Sequence, residues 1–327
     1  MQLRKAQPHA SRKVGPMLSV ITPSNRVGGI DVLITSLASQ TEQNFELIFV
    51  DNIRKCRPEA FRNAPFRVKH IEPRDNPFPM VCYCRTMNSG IAHAAGDIVV
   101  AFCDYSFAHP RCLETHAECQ KKNPGPTHLD YNYSALPRLK EGFPGYHQGG
   151  FDPGSDPRRY DELLNETTDR YVADLESGRL DPFMWSLFEE PLNEGSVSAL
   201  EVTHRHRPCA TRKADDWNWA SCKNESFPTE LLLELNGFDE AYDASHCYQD
   251  SELSYRLRER GIPWNNGPVE TGMVTVVNPR PVLNVKKLRQ PFGYNADLCF
   301  MHRKAENRLP VNPEFSLREW RERTVRK

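Results

Sequence analysis

Short apolar runs separated by polar turns dominate the first third of the chain, and their spacing alternates between two periods. MLSVITPS, from Met17, is a β-rich run that stops at Pro23 and passes into the polar turn Ser24-Asn25-Arg26. From Gly29, GIDVLITSLASQ places Ile30, Leu33, Ile34 and Leu37 at helical spacing, and NFELIFVDN returns as a second apolar strand ending in Asp51. The alternation repeats: FRVKHIEP reads as a third strand, CRTMNSGIAHAA as a helix and GDIVVAFCDYS as a fourth strand ending in Asp104. Strand, helix, strand is a βαβ unit, which predicts an α/β fold with a mostly parallel central sheet flanked by helices. Ligands of such open sheets bind beyond the carboxyl ends of the strands, so Pro23 to Arg26, Asp51 and Asp104 are expected to converge on one crevice.

The pattern changes after the short helix CLETHAECQKK. Residues 123–216 are rich in Pro, Gly and charge and read as an insertion of lids or loops, with helical signals in YDELLNETTDRYVADLES and PFMWSLFEE. Order resumes at 217–275. There Pro228 opens a helix that Asn236-Gly237 closes, and QDSELSYRLRERG forms another with Leu253 and Leu257 facing inward and Gly261 as C-cap. GMVTVVN is strand-like. The division expected is a basic N-terminal arm at 1–16, a first α/β half at 17–122, the insertion at 123–216, a second half at 217–275 and a basic C-terminal extension at 276–327.

At 327 residues the chain can bury a sizeable core, and 39% hydrophobic with 26% charged residues is ordinary for a folded protein. Forty-two Lys and Arg against 43 Asp and Glu leave a formal charge of -1, so no overall field marks a nucleic-acid or membrane binder. The charge is uneven, with acid gathered between Asp152 and Glu194 and base in HRHRPCATRK and the tail from Arg280. No apolar stretch reaches the length of about 20 residues that crosses a bilayer. Ten scattered Cys without a CxxC, and an N-terminus without a signal-peptide core, point to reduced thiols in a cytoplasmic protein.

In order, LSVITPSNR, FELIFVDN, NSGIAHAAGDIVVAFCDYSFAHPRCLETH and NESFPTELLLELNGFDEAYDASHCYQDSELSYRLRERG resemble the blocks of a family 2 glycosyltransferase with the GT-A fold, over about Met17 to Trp264. The resemblance implies an inverting transferase that uses a nucleotide-diphospho-sugar, a UDP-sugar in particular, in the cytoplasm of a bacterial or phage-infected cell. It puts Pro23, Asn25, Arg26 and Asp51 at the nucleotide, with Arg85 and Asn88 as lesser donor contacts. A carboxylate can accept from a uracil N–H or a ribose hydroxyl, and Arg26 can meet phosphate. The competing readings are a helix N-cap or turn acid for Asp51 and a helix cap for Asn88.

Asp104 stands where the family carries an Asp-x-Asp type motif that holds Mg²⁺ or Mn²⁺ against the diphosphate, but Cys103-Asp104-Tyr105 keeps only one carboxylate. His302 is the candidate distal ligand, or a solvated histidine. Gln249-Asp250-Ser251-Glu252 resembles the family's acidic motif, with Asp250 as general base, or merely as helix N-cap, and Gln249 where an acid is common. Trp217 and Trp219 could stack on an acceptor or pack in the core, and His246, Tyr248 and Gln249 are placed to touch an acceptor. The acceptor expected is a saccharide or glycan. The basic runs leave open a hydroxymethylated base in phage DNA, and the reduced metal motif leaves open a non-catalytic nucleotide-sugar binder.

Overall fold

The computed structural model describes residues 17–24, 30–52, 61–62, 64–75, 82–102, 104, 106–129, 133–136, 201–205, 224–243, 249–267, 273–276 and 310–326. Its strands are β1 (Leu18–Ser24), β2 (Phe45–Asp51), β3 (Arg67–Ile71), β4 (Ile98–Phe102), β5 (Ser106–Ala108), β6 (Thr127–His128), β7 (Tyr133–Leu136), β8 (Glu201–Arg205), β9 (Asn224–Pro228), β10 (Asn265–Asn266) and β11 (Met273–Val276). The helices are α1 (Ile30–Ala38), α2 (Tyr83–His93), α3 (Cys112–Lys122), α4 (Thr229–Glu234), α5 (Gln249–Glu259) and α6 (Leu317–Val325), with a 3₁₀ turn at Glu240–Tyr242.

Seven strands form the central sheet in the order β10-β6-β9-β4-β1-β2-β3. β3, β2, β1 and β4 run parallel, and β9 is antiparallel to both β4 and β6. Because β1 lies between β2 and β4, the strand order reverses there, and a ligand of such a sheet is expected at the carboxyl ends of these three strands. β5, β11, β7 and β8 form a second, four-stranded sheet.

The inner strands are apolar on both faces because helices cover both. On one face Ile21, Ile48, Val50, Val99, Ala101 and Phe227 pack with Met87 and Ile91 of α2, Leu253 and Leu257 of α5 and Leu317 of α6. On the other, Leu18, Val20, Leu47, Phe49, Val100 and Phe102 meet Leu33 and Leu37 of α1 and Leu113 of α3. Each fully buried large side chain contributes about 1.5–3 kcal/mol. A methyl group on Gly90 would strike Ile21, which is how closely α2 lies on β1.

Three features differ from the sequence reading. β4 ends at Phe102, so Asp104 sits in the turn beyond it. The run before Pro228 is a buried strand, β9, whose polar Asn224, Glu225 and Ser226 conceal it from an apolar-periodicity reading. Within the segment expected to be lids or loops, Thr127 and His128 form β6 in the central sheet, a strand too short to show alternation.

The tail also does more than extend the chain. Ser316 caps α6 by accepting from Glu319 N–H at 3.3 Å, and Leu317 is buried. Asn236 donates to the carbonyls of Val311 and Phe315 while its own Oδ1 accepts from Leu317 N–H, and Asn312 donates to the carbonyls of Asn236 and Phe238. Asn236 adopts φ 57° and Gly237 φ 72°, the left-handed conformations that end α4 and open this clamp. Among the described residues no helix is long and apolar enough to cross a membrane.

Candidate active site

The parallel register sets Ser24, the last residue of β1, beside Asp51, the last of β2. Asn52 N–H donates to the Ser24 carbonyl at 3.0 Å, which continues the ladder past the strand end. On its other side Ser24 Oγ donates to Asp104 Oδ2 at 3.1 Å, bridging from β1 to the turn after β4. The structure therefore gathers Pro23, Asp51 and Asp104 on three adjacent strand ends, with Ser24 between the two acids.

Asp51 is fully buried, and its Oδ2 lies 2.8 Å from His70 Nε2. A carboxylate only accepts, so Nε2 carries the proton. β3 places His70 directly across from Phe49, and the imidazole stands edge-on to the rings of Phe49 and Phe61.

Arg85 and Asn88 project from α2 onto the turn that follows α4. Asn88 is buried mid-helix; its Oδ1 accepts from Phe238 N–H at 2.8 Å, and its Nδ2 donates to the Phe238 carbonyl and to Glu240 Oε1. It lies in the middle of α2 and not at its start, which is at Tyr83, and its amide is bonded to this turn. Arg85 Nε lies 3.3 Å from Glu240 Oε2 and 3.7 Å from Asp243 Oδ2, and Arg74 reaches the same Glu240 oxygen at 2.7 Å. Asp243 accepts from Cys84 N–H at 2.8 Å and from Arg85 N–H, closing the exposed amides of the α2 N-terminus. Burial, with Glu240 beside it, pushes the Asp243 carboxyl up to about 7.

Gln249 and Asp250 open α5, both half-buried, and Asp250 Oδ1 accepts from Ser251 N–H at 2.9 Å. Two residues on, Glu252 grips Arg256 through both oxygens, at 2.7 and 2.8 Å, and Arg256 donates onward to the carbonyls of Leu235 and Gly237. Glu252 thus anchors α5 to the end of α4, and Asp250 sits on the turn so anchored.

Thirty per cent identity over 128 residues relates the chain to a Haemophilus influenzae protein named an uncharacterized glycosyltransferase. That match covers 39% of this chain and 42% of the relative, so the chain spans less than half of that protein. A crystal structure of S. aureus TarS 1-349 superposes with a TM-score of 0.44 and 15% identity, over 80% of this chain and 60% of that one. No family model matches.

Asn25, Arg26, Trp217, Trp219, His246, Tyr248 and His302 lie outside the described residues. Among the described residues no group of three or more His, Cys, Asp and Glu is arranged to hold a metal ion. Asp104 alone still fits Mg²⁺, which takes one or two protein carboxylates and completes its shell with phosphate oxygens and water.

Sequence reasoning passed over two residues. Ser24 was visible only as part of a polar turn, and nothing local announces that its hydroxyl bridges to a residue 80 positions on. His70 was hidden inside an ordinary strand pattern; only the β2–β3 register brings it onto Asp51.

Proposed function

We propose that this protein is an inverting glycosyltransferase of family 2 type with a GT-A fold, moving a sugar from a nucleotide-diphospho-sugar, a UDP-sugar first among them, to a hydroxyl of a saccharide or glycan. The observation that carries the reading is the Asp51, Ser24, Asp104 row at the carboxyl ends of β2, β1 and the β4 turn. The glycosyltransferase name of the relative supports it.

In this reading Pro23, Asp51 and, beyond the described residues, Asn25 and Arg26 receive the nucleoside and diphosphate. Asp104 would hold Mg²⁺ or Mn²⁺, with His302 as second ligand, and the ion would screen charge on the leaving diphosphate. Asp250 takes the acceptor proton as the oxygen attacks the anomeric carbon. Gln249 and, beyond the described residues, His246, Tyr248, Trp217 and Trp219 would contact the acceptor. Arg85 and Asn88 act one step back, by fixing the 3₁₀ turn that leads toward Asp250.

The alternative acceptor, a hydroxymethylated base in phage DNA, rests on the basic tail, the HRHRPCATRK run and the two nearby tryptophans, and a steep loss of binding with added salt would favour it. Incubating the wild type and Asp250→Asn with nucleotide-sugars tests the reading. Slow donor hydrolysis by the wild type, absent in the variant, supports it; no turnover of any donor by either protein counts against it.

A further inference from the structure

We propose that Asp243 is a positioning residue for the chemical step, tying the chain just before Asp250 to the start of α2, which is itself joined to the end of β2. This rests on the glycosyl-transfer reading, in which Asp250 is the general base, and adds to it a residue from the turn that follows α4.

α2 has no cap from its own sequence. Cys82 holds the N-cap position and makes no side-chain bond to the helix amides, as expected of a thiol, which accepts weakly. A carboxylate from elsewhere fills that place. Asp243 Oδ1 accepts from Cys84 N–H at 2.8 Å and Oδ2 from Arg85 N–H at 3.2 Å. These are the second and third amides of the helix, the ones that an N-cap side chain ordinarily satisfies. Asp243 stands 159 positions from Cys84, so the cap is a tertiary contact between the two halves of the fold.

The same helix start reaches the strand ends. Asn52, the residue after Asp51, donates through Nδ2 to Cys82 Sγ at 3.2 Å, and the Thr86 hydroxyl lies 3.3 Å from Asn52 Oδ1. In the other direction Asp243 lies shortly before Asp250 in the chain. Its backbone is held, because its N–H donates to the Glu240 carbonyl at 3.1 Å. Glu240 is fixed in turn by Arg74 at 2.7 Å, by Asn88 Nδ2 at 3.1 Å and by Asn312, whose Oδ1 accepts from Glu240 N–H at 2.9 Å. Through one carboxylate, Asp243 joins the strand ends of the proposed nucleotide subsite to the chain that enters α5.

The test compares the wild type, Asp243→Ala and Asp243→Asn in three measurements: hydrolysis of saturating UDP-, GDP- and dTDP-sugars, calorimetric affinity for UDP, GDP and dTDP, and melting temperature. Ala removes the acceptor. Asn keeps an acceptor oxygen, and its neutrality suits a site where burial, with Glu240 beside it, raises the carboxyl to about 7. Asp243→Ser, whose shorter side chain cannot span both amides, stands in for Ala if that variant does not fold. The result expected, well below each melting temperature, is hydrolysis about 10- to 100-fold slower per folded molecule in Asp243→Ala, with nucleotide affinity unchanged and most of the rate recovered in Asp243→Asn. A structural role alone would lower the melting temperature and leave folded molecules at the wild-type rate, and that result overturns the proposal. Equal slowing in Ala and Asn overturns it too, as does a loss of nucleotide affinity as large as the loss of rate. If the wild type neither binds a nucleotide nor hydrolyses a donor, the glycosyl-transfer reading itself fails and the proposal with it.

Discussion

Ser24 donates its hydroxyl proton to Asp104 across 3.1 Å, and in doing so joins the end of β1 to the turn after β4. A carboxylate in an irregular turn has few restraints of its own; the serine supplies one from a strand that is buried on both faces. Replacing Ser24 by Ala removes that restraint with little change in packing. The expected outcome is a 10- to 100-fold rise, roughly, in the Mn²⁺ concentration needed for donor binding, of the size seen when residues behind a metal ligand are lost. Melting of the metal-free protein should stay within about 1 °C. Titrating Mn²⁺ at fixed donor checks both.

Asp250 makes a separate prediction because its role lies in the chemical step. Asp250→Asn keeps an oxygen able to accept from Ser251 N–H, so α5 should form as before. The rate of transfer or donor hydrolysis should fall by about 10²–10⁴-fold while nucleotide affinity is retained. A parallel loss of nucleotide affinity would assign Asp250 to donor binding instead.

Asn88 tests the division between site and scaffold. Its amide closes bonds with both the N–H and the carbonyl of Phe238, and a side chain at Gly237 would collide with it. Asn88→Ala leaves the buried Phe238 N–H without its acceptor, while the Phe238 carbonyl keeps Asn312 as donor, and should cost about 1–3 kcal/mol in chemical denaturation, with nucleotide affinity per folded molecule little changed.

Much of this was legible from the chain. The helical spacing of Leu33 and Leu37, the apolar run ending at Asp51 and the Asn236-Gly237 stop each describe local structure, and local structure leaves a local pattern. β9 was not legible, because Asn224 and Ser226 meet His116 and Gln120 of α3, and a strand whose buried face is polar looks like a loop. Ser316 to Glu319 carries the S-x-x-E spacing of a capping box, so the start of α6 is legible in the sequence even though basic residues surround it. The site divides the same way. Strand-end acids are readable, whereas Ser24 and His70 matter through partners that only sheet register supplies.

Stability should respond to pH through two buried groups with opposite signs. His116 is fully enclosed, with Nε2 toward Asn224 Oδ1 and Nδ1 toward the Ser226 hydroxyl, and burial lowers it from 6.5 to about 4. Between those values the unfolded chain binds the extra proton. Its contribution of about 3 kcal/mol is therefore complete above pH 6.5 and lost as the pH falls toward 4. Asp243 runs the other way: burial raises it from 3.8 to about 7, so its contribution is complete below 3.8 and lost as the pH rises through 7. Melting curves from pH 4 to 8 for the wild type, His116→Gln and Asp243→Asn separate the two. The stability difference between wild type and His116→Gln should shrink toward acid, and Asp243→Asn should gain on the wild type between pH 4 and 7.

The central claim is that the Asp51, Ser24, Asp104 row receives a nucleotide-sugar, and a ligand that binds only the folded state must raise its melting temperature. Thermal shift across UDP-, GDP- and dTDP-sugars, each with and without Mn²⁺, measures this directly. The account predicts a rise with one donor that is larger with Mn²⁺ and loses its metal-dependent part in Asp104→Asn. No rise with any donor, with or without the metal, would contradict it.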